Sequence, residues 1–357
     1  MTENLKEIID GIEPLDQIWI DNAKARTAQL VMPPRALGRL HEISERLCGI
    51  HKTLDPSTDR KAILVMAGDH GVAKHGVSAF PQEVTGAMVQ TFLSGGAGIN
   101  ALAGHVGAEV WVVDMGIIPD IEPSRLAGGD RYLVKKIGNG TENMAQGPAM
   151  TRDQATRAIL TGFQIASDRI REGVSLLGTG DMGIGNTTPS AAIGAVITGT
   201  GLDKMVGPGT GVDDHGLVQK RKTIQTAIDI NKPDPKDGLD VLAKVGGFEI
   251  GGIAGVMLAG AFHGKPVVVD GFISTAGALV ASTLCPRVEA YLFAGHRSEE
   301  PGHDAMLQHL GLKPILDLGM RLGEGTGGSL AMSIIEAAGR VFRDVFTFDE
   351  AGVPGKS

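Results

Sequence analysis

The feature that most constrains the fold is an alternation, from Lys61 onward, between short apolar runs and stretches with helical spacing. Each of six apolar runs leads into glycine with an acid, hydroxyl or histidine nearby; the runs are residues 62–67, 109–113, 174–178, 266–269, 290–293 and 314–320. Continuous apolar strands separated by helices indicate a parallel sheet covered on both faces. Because open parallel sheets bind ligands at the carboxyl ends of their strands, the six loops are expected to assemble one site. The expected fold class is α/β, in a Rossmann-like three-layer arrangement.

The N-terminal segment has a different pattern. Residues 5–12 and 40–50 carry apolar side chains at helical spacing, and Pro33-Pro34 must break any helix between them. No strand is expected there, so residues 1–58 are predicted to form a small helical domain and residues 59–330 the α/β catalytic domain. Further helices are predicted at residues 82–93, 151–171, 187–198, 216–230, 247–261 and 275–284, with no strong element after about residue 345.

Composition and charge exclude several classes of function. The net charge of −8 argues against a nucleic-acid surface, and two tyrosines and two tryptophans leave little for base stacking. Cys48 and Cys285 lie far apart without metal-type spacing, which favours reduced thiols in a cytosolic protein. The N-terminus lacks a secretory pattern, and the longest apolar run, Gly251–Phe262, is too short to span a bilayer. We therefore expect a cytoplasmic protein without nucleic-acid or membrane partners.

One carboxylate, Glu324, lies between two glycines in the stretch Arg321–Gly328, after an apolar run and before residues with helical spacing. Flanking glycines allow a sharp turn and close approach of a ligand. A carboxylate held near a helix start is placed to accept a proton from a small molecule. The alternative is an acidic residue in a surface turn.

Glycine is the outlier in composition, at 52 residues, and two glycine-rich turns precede predicted helices. Gly178–Pro189 offers successive backbone N–H groups that suit a phosphate, and Val206–Asp214 leads to Lys220, a possible counter-charge. The alternative is that these glycines serve close packing of helix on sheet. Phe80 and Met88 are candidates to line a flat apolar slot, although core packing explains Met88 equally well.

Acids and histidines after the strands raise the alternative of a metal-dependent hydrolase using Asp69, His70, Asp270 and His296. The spacing argues against it, because no HExxH, HxH or CxxC pattern occurs. The paired acids of diphosphate-activated phosphoribosyltransferases are also missing after a strand. No metal or other cofactor is expected. A non-catalytic nucleotide-binding protein on the same scaffold is the remaining alternative.

Taken together, these stretches resemble the nicotinate-nucleotide–dimethylbenzimidazole phosphoribosyltransferase family. The resemblance implies an α/β domain, a helical domain completed by the C-terminal segment (about residues 330–357), and a homodimer whose sites borrow residues from the neighbouring subunit. It implies transfer of phosphoribose from nicotinate mononucleotide to 5,6-dimethylbenzimidazole, with purines or phenols as other acceptors left open. The matching stretches, in the family's order, are Gly68–Met88, Gly180–Pro189, Val206–Gly211, Lys244–Glu249, Asp270–Ser274, His296–Gly302 and Met320–Gly327.

The resemblance also implies roles for individual residues. Glu324 corresponds to the general base, and Asp181 and Asp270 to secondary carboxylates on the ribose side. Positions on the phosphate and ribose side are Gly183, Gly207, Gly209, Lys220 and Ser298. Positions in the benzimidazole slot are Phe80, Met88 and Leu322. The chain departs from the family at Asp181, where glutamate is usual, so the reach of this side chain is shorter.

Overall fold

The computed structural model describes residues 3–122, 127–209 and 211–354. Its centre is a parallel sheet of six strands in the order β3-β2-β1-β4-β5-β6. The strands are β1 Lys61–Gly68, β2 Ala108–Gly116, β3 Tyr132–Val134, β4 Leu176–Met182, β5 Val267–Val269 and β6 Leu292–Ala294. This is the doubly wound order: successive strands are added on one side of β1 up to β3 and on its other side from β4 onward. In such sheets ligands bind beyond the carboxyl ends of the two strands at the switch point, here β1 and β4. The predicted α/β class is confirmed.

The helices cover both faces of this sheet. They are α1 Glu3–Gly11, α2 Gln17–Gln29, α3 Arg39–His51, α4 Val84–Leu93, α5 Gly98–His105, α6 Arg152–Arg171, α7 Thr187–Thr198, α8 Leu202–Met205, α9 Asp214–Asn231, α10 Gly238–Val245, α11 Phe248–Phe262, α12 Phe272–Leu284, α13 His303–His309, α14 Thr326–Asp344 and α15 Phe348–Ala351. All six helices predicted between residues 82 and 284 are present, with ends shifted by a few residues. Among the described residues, no helix is both long and apolar enough to cross a bilayer.

Two of the strand and helix predictions are wrong. The run at residues 314–320 forms β8, Leu316–Met320, which pairs with β7, His296–Ser298, in a separate two-stranded sheet rather than in the main sheet. Its side chains are largely exposed, so an apolar sequence alone did not make it a central strand. After residue 345, where no element was expected, the Thr347 hydroxyl and the Glu350 carboxylate form a capping box that starts α15.

Two glycines in β4 let α14 pack flat against the sheet. Within the buried β4, a side chain at Gly180 would overlap the carbonyl of Glu324, and one at Gly178 would overlap Met332 of α14. The lack of side chains there places the loop before α14 directly over the carboxyl end of β4. The two glycines of β4 therefore allow the backbone at Glu324 to lie in direct contact with the sheet.

The N-terminal helices pack against the sheet and against α14. Leu5 and Ile12 at one end of the chain and Leu47 of α3 belong to the same apolar core as the strands. In this segment Leu30 makes only an isolated bridge with Thr347, and no other strand pairing occurs among residues 3–58. The division into two domains near residue 58 stays a prediction. The two ends of the predicted helical domain, residues 1–2 and 355–357, lie outside the described residues.

Candidate active site

A cavity of about 600 Å³ opens beyond the carboxyl end of β4, at the point where the strand order reverses. Six segments contribute to it: the residues before α4 with the first turns of α4, the end of β4 with the β4–α7 loop, the loop at Gly209, the start of α12, β7 with the residues after it, and the loop before α14. The predicted site residues that line it are Phe80, Met88, Asp181, Gly183, Gly209, Ser298, Leu322 and Glu324. Side chains far apart in sequence therefore meet in one cavity. This cavity lies at the carboxyl ends of the strands, where the strand pattern predicted a ligand site.

The candidate base, Glu324, occupies a strained turn. Its φ of 64° lies in the left-handed region, as do those of Gly323 (82°) and Gly325 (94°). For a non-glycine residue this conformation costs on the order of 1–2 kcal/mol. The turn places the carboxylate at the start of α5, where the Ile99 N–H donates to Oε2 at 3.2 Å. Such strain is typical of functional sites, where the fold fixes a side chain that local preference would place elsewhere.

The surroundings of Glu324 shift its proton affinity upward. The side chain is only 5% exposed. Burial raises the pKa of Glu324 above its usual value; the Ile99 N–H opposes this, and the nearby Asp270 carboxylate adds to it. A carboxylate with a raised pKa is a better proton acceptor, because a general base works best with a pKa near the operating pH.

Asp270 lies behind the cavity wall rather than at its surface. Its Oδ1 accepts from the Gly328 N–H at 2.7 Å, and its Oδ2 accepts from the Gly325 N–H at 3.2 Å. These N–H groups belong to the start of α14, so Asp270 caps the helix that follows Glu324. The side chain is 1% exposed, and burial raises its pKa while His296 and the backbone N–H groups oppose the rise. The proposed ribose-side role of Asp270 is not tested by this geometry, but its contacts are those of a support for the Glu324 turn.

Asp181 ends β4 and lies on the cavity surface. Asn186 donates to Oδ2 of Asp181 at 2.9 Å, which fixes the carboxyl group. Burial raises the pKa of Asp181 well above its usual value; the Asp270 carboxylate adds most to this, with smaller effects from Glu249 and Glu324, while the bond from Asn186 opposes it. The carboxyl group of Asp181 therefore holds a proton more tightly than an exposed aspartate does.

The other end of the cavity carries polar groups. Lys220 is fully buried, and its Nζ donates to the Thr187 hydroxyl at 2.8 Å and to the Gly207 carbonyl at 3.1 Å. Burial lowers the pKa of Lys220 to about 8. Gly209 lines the cavity with φ of 56°, and a side chain there would meet both Thr187 and the Lys220 ammonium. Lys220 and Gly207 lie just behind this surface rather than on it.

The mouth of the cavity is apolar. Phe80 is 53% exposed and Leu322 is 60% exposed, which leaves two large apolar side chains open at the entrance. Met88 both packs against the core and lines the cavity, so the two interpretations of this residue are compatible. Gly183 lines the cavity too, while a side chain there would overlap the Gly68 carbonyl, so it also serves close packing.

The residues of the hydrolase alternative do not form a metal site. Within residues 3–122, 127–209 and 211–354, no group of three or more His, Cys, Asp or Glu side chains is arranged to hold a metal ion. His70 lies 2.9 Å from Glu249 with both side chains buried, and Asp69 accepts from the Ile118 N–H. The expectation that no cofactor is needed stays a prediction.

Sequence reasoning missed several residues of the cavity wall, namely Asn186, Thr187, Glu300 and Arg321. Asn186 and Thr187 were within reach, because they begin α7 directly after the glycine-rich turn. Glu300 gave no such signal, since its burial depends on the distant Gly209 loop.

The doubly wound sheet and the cavity at its reversal point define the class: an α/β protein whose ligand site contains a buried candidate base. Within that class, the chain belongs to the phosphoribosyltransferase family, whose model matches residues 12–353. It is 52% identical over 351 residues to the nicotinate-nucleotide–dimethylbenzimidazole phosphoribosyltransferase of Geobacter sulfurreducens, covering 98% of each chain. It is 50% identical over 349 residues to the protein of the same name from Geotalea uraniireducens, again covering 98% of each. The crystal structure of CobT from Thermus thermophilus superposes with a TM-score of 0.90 at 46% identity, covering 95% of this chain and all of the other.

Proposed function

We propose that this protein transfers the phosphoribosyl group of nicotinate mononucleotide to 5,6-dimethylbenzimidazole, releasing nicotinate and forming α-ribazole 5′-phosphate. The names of its relatives support the substrates. The observation that carries the proposal is the position of Glu324, a buried carboxylate with a raised pKa, in a cavity with an apolar mouth and a polar far end.

In the proposed reaction one azole nitrogen attacks the anomeric carbon as the bond from that carbon to the pyridinium nitrogen breaks. The bonding electrons neutralise the pyridinium, so nicotinate leaves without a metal or an acid. The other azole nitrogen loses its proton to a carboxylate oxygen of Glu324. Base catalysis of this kind contributes about 10²- to 10⁴-fold. Alignment of the two substrates in one cavity contributes at least as much.

The remaining residues bind and orient the nucleotide in this proposal. Lys220, behind Gly209, supplies positive charge for the phosphate, and Ser298 and the glycine turns at Gly183 and Gly207 shape that end of the cavity. Asp181, whose carboxyl group is fixed by Asn186, contacts the ribose. Phe80, Met88 and Leu322 enclose the planar base at the mouth.

Two further features belong to the proposal. A homodimer is supported by exposed apolar side chains: Phe80 and Leu322 at the mouth of the cavity, and Leu318 in β8. A cytoplasmic location is supported by Cys48 and Cys285, both buried free thiols. Light scattering of the purified protein tests the first: a monomer mass would contradict it.

The proposed reaction is tested by the dependence of nicotinate release on the acceptor. With nicotinate mononucleotide at a saturating concentration, the release rate is measured over a series of 5,6-dimethylbenzimidazole concentrations. A transferase releases nicotinate in proportion to the acceptor until the site is saturated. Equal release in the absence of any acceptor would instead identify a hydrolase that uses water.

A further inference from the structure

The carboxylate of Glu300, at the polar end of the cavity, takes no part in the proposed reaction. Glu300 lines the cavity, and its side chain is 6% exposed. Its Oε1 accepts from the Gly209 N–H at 3.0 Å. Its Oε2 is equally buried, yet it has no hydrogen-bond partner among the described residues. A buried carboxylate oxygen without a donor costs free energy that a bound donor would recover.

The backbone around Glu300 is held firmly. The Glu300 N–H donates to the Ser298 hydroxyl at 3.3 Å, and the Glu300 carbonyl accepts from the His303 N–H at 3.0 Å. The Ser298 N–H in turn donates to Nδ1 of His303 at 2.8 Å. These bonds connect β7 to the start of α13 and fix the backbone from which the Glu300 side chain extends, while the Gly209 N–H holds its carboxylate.

The histidine in this frame has a defined proton position. The Thr275 hydroxyl lies 2.9 Å from Nε2 of His303 and donates its own proton to the Gly271 carbonyl at 2.7 Å. Nε2 must therefore be the donor in that pair, while Nδ1 accepts from Ser298. Burial lowers the pKa of His303 to about 3, so the ring is neutral and this arrangement persists at working pH.

The charges nearby decide which ligand group suits Oε2. Burial raises the pKa of Glu300, whereas the buried Lys220 and the Gly209 N–H oppose the rise and favour the charged form. A phosphate dianion offers Oε2 no donor and repels it. A metal ion lacks the additional ligands it requires among the described residues. A neutral hydroxyl group is the donor that fits.

The phosphate has a separate partner close by. Arg321 lines the same cavity, and its Nη1 donates to the Gly209 carbonyl at 3.3 Å. Gly209 therefore connects the two side chains: its N–H faces Glu300 and its carbonyl faces Arg321. A guanidinium group binds phosphate well, so the two ends of Gly209 separate an anion-binding group from a hydroxyl-binding group.

We propose that Oε2 of Glu300 accepts a hydrogen bond from a secondary hydroxyl of the ribose, so that Glu300 selects ribonucleotides over deoxyribonucleotides. The inference rests on the proposed function, because that reaction supplies a ribose phosphate to this end of the cavity. Gly207 belongs to the same arrangement, since a side chain there would overlap Oε2. Gly207→Ala should therefore displace the carboxylate and weaken the same selection.

The first test uses the wild-type protein and needs no variant. Calorimetry compares the binding of nicotinate mononucleotide with that of its 2′-deoxy and 3′-deoxy analogues. Loss of a hydrogen bond to a charged group predicts binding at least about tenfold weaker for the analogue that lacks the contacted hydroxyl. Equal binding of all three nucleotides would overturn the proposal. If the protein binds the nucleotide but transfers it to no acceptor, the proposed function fails while this comparison still tests Glu300.

The second test compares Glu300→Gln with Glu299→Gln, a matched change at the exposed neighbouring residue. In Glu300→Gln the amide oxygen can still accept from Gly209, but a donor replaces Oε2. The preference for the ribonucleotide should fall at least about tenfold in Glu300→Gln and stay unchanged in Glu299→Gln. If Glu300→Gln lowered binding of the ribonucleotide and both deoxy analogues by one common factor, Glu300 would be only structural and the proposal would be wrong.

Discussion

Three buried carboxyl groups lie close together at the cavity, Glu324 and Asp181 on its surface and Asp270 behind it, and each has a raised pKa. Buried like charges at such sites are not all ionised together. The Asp270 carboxylate adds to the raised pKa of both Asp181 and Glu324, so ionising one of these groups makes ionising another harder.

The rate should depend on pH through Glu324 and Lys220. The base must be deprotonated, so the ratio kcat/KM for the nucleotide should fall below the raised pKa of Glu324. The ammonium must be protonated to attract phosphate, so the ratio should also fall above about pH 8, the pKa of Lys220 in the free protein. Bound phosphate favours the charged ammonium, so this alkaline decline should shift to higher pH in kcat.

A matched pair of variants assigns the alkaline decline. Lys220→Arg keeps its charge at high pH, so the decline near pH 8 should disappear from whatever activity remains. Lys222→Arg changes an exposed neighbour on the same helix and should leave the profile as it is. An unchanged decline in Lys220→Arg would show that another group titrates there.

At the scale of elements, periodicity was enough to predict the buried strands and their helices. β1 and β2 contain long apolar runs, β4 begins within the run predicted at residues 174–178, and α7 begins and ends where its spacing indicated. It failed for β3, Tyr132–Val134, which lies between Arg131 and the basic pair Lys135-Lys136 without a glycine directly after it. It also failed for β8, whose side chains are largely exposed. Pairing of β8 with β7 depends on contacts between residues about 20 positions apart, which no local signal contains.

The same limit applies to the site. The positions of Glu324 and of the glycine turn after β4 were predictable because each lies where a strand leads into a helix. The roles of neighbouring polar groups were not, because they depend on which loops meet. Asp270 follows β5 but bonds to the start of α14, and Glu300 follows β7 but bonds to Gly209.

Asp270 caps α14 and thereby holds the turn that carries Glu324. Asp270→Asn tests whether this support affects the rate of the reaction. One carboxylate oxygen is replaced by an amide that faces a backbone N–H, so unfolding free energy should fall by about 1–3 kcal/mol. Because the Glu324 turn loosens, kcat should fall at least about tenfold, while KM for the nucleotide stays within about twofold. The measurements are urea unfolding and steady-state kinetics.

Asp16→Ala is the control, because Asp16 caps α2 by accepting from the Ile18 N–H, away from the cavity. It should lower the unfolding free energy by about 0.5–2 kcal/mol without lowering kcat. A large rise in KM with unchanged kcat in Asp270→Asn would instead place Asp270 in contact with the nucleotide.

At the scale of the whole molecule, α14 connects the site to the helical layer formed by the N-terminal segment. It begins two residues after Glu324, and at its other end Gly339 approaches Leu47 of α3. α3 is fastened to the edge of the sheet by Arg46, whose guanidinium donates to the carbonyls of Ala290 at 2.8 Å, Glu289 at 2.7 Å and Leu292 at 2.6 Å. The helical layer thus supports the site from behind.

Replacing Arg46 should detach this support. Arg46→Met leaves three carbonyls without donors and removes the guanidinium from the Phe293 ring, 4.4 Å away, so the unfolding free energy should fall by about 2–4 kcal/mol. Arg340→Met is the control, because Arg340 is exposed and its ion pair is with Glu336 on the same helix; it should change stability by less than about 0.5 kcal/mol. Equal effects in the two variants, measured by urea unfolding, would show that Arg46 does not fasten the layer.

The most direct test of the proposed transfer follows the product itself. Wild-type protein and Glu324→Gln are incubated with nicotinate mononucleotide and 5,6-dimethylbenzimidazole, with and without a chelator, and the products are separated by chromatography. We expect the wild type to form α-ribazole 5′-phosphate and nicotinate in equal amounts at a rate the chelator does not change, and Glu324→Gln to be slower by about 10²- to 10⁴-fold. A variant as fast as the wild type would remove Glu324 as the base, and wild-type protein that forms no ribazole phosphate would contradict the proposed reaction.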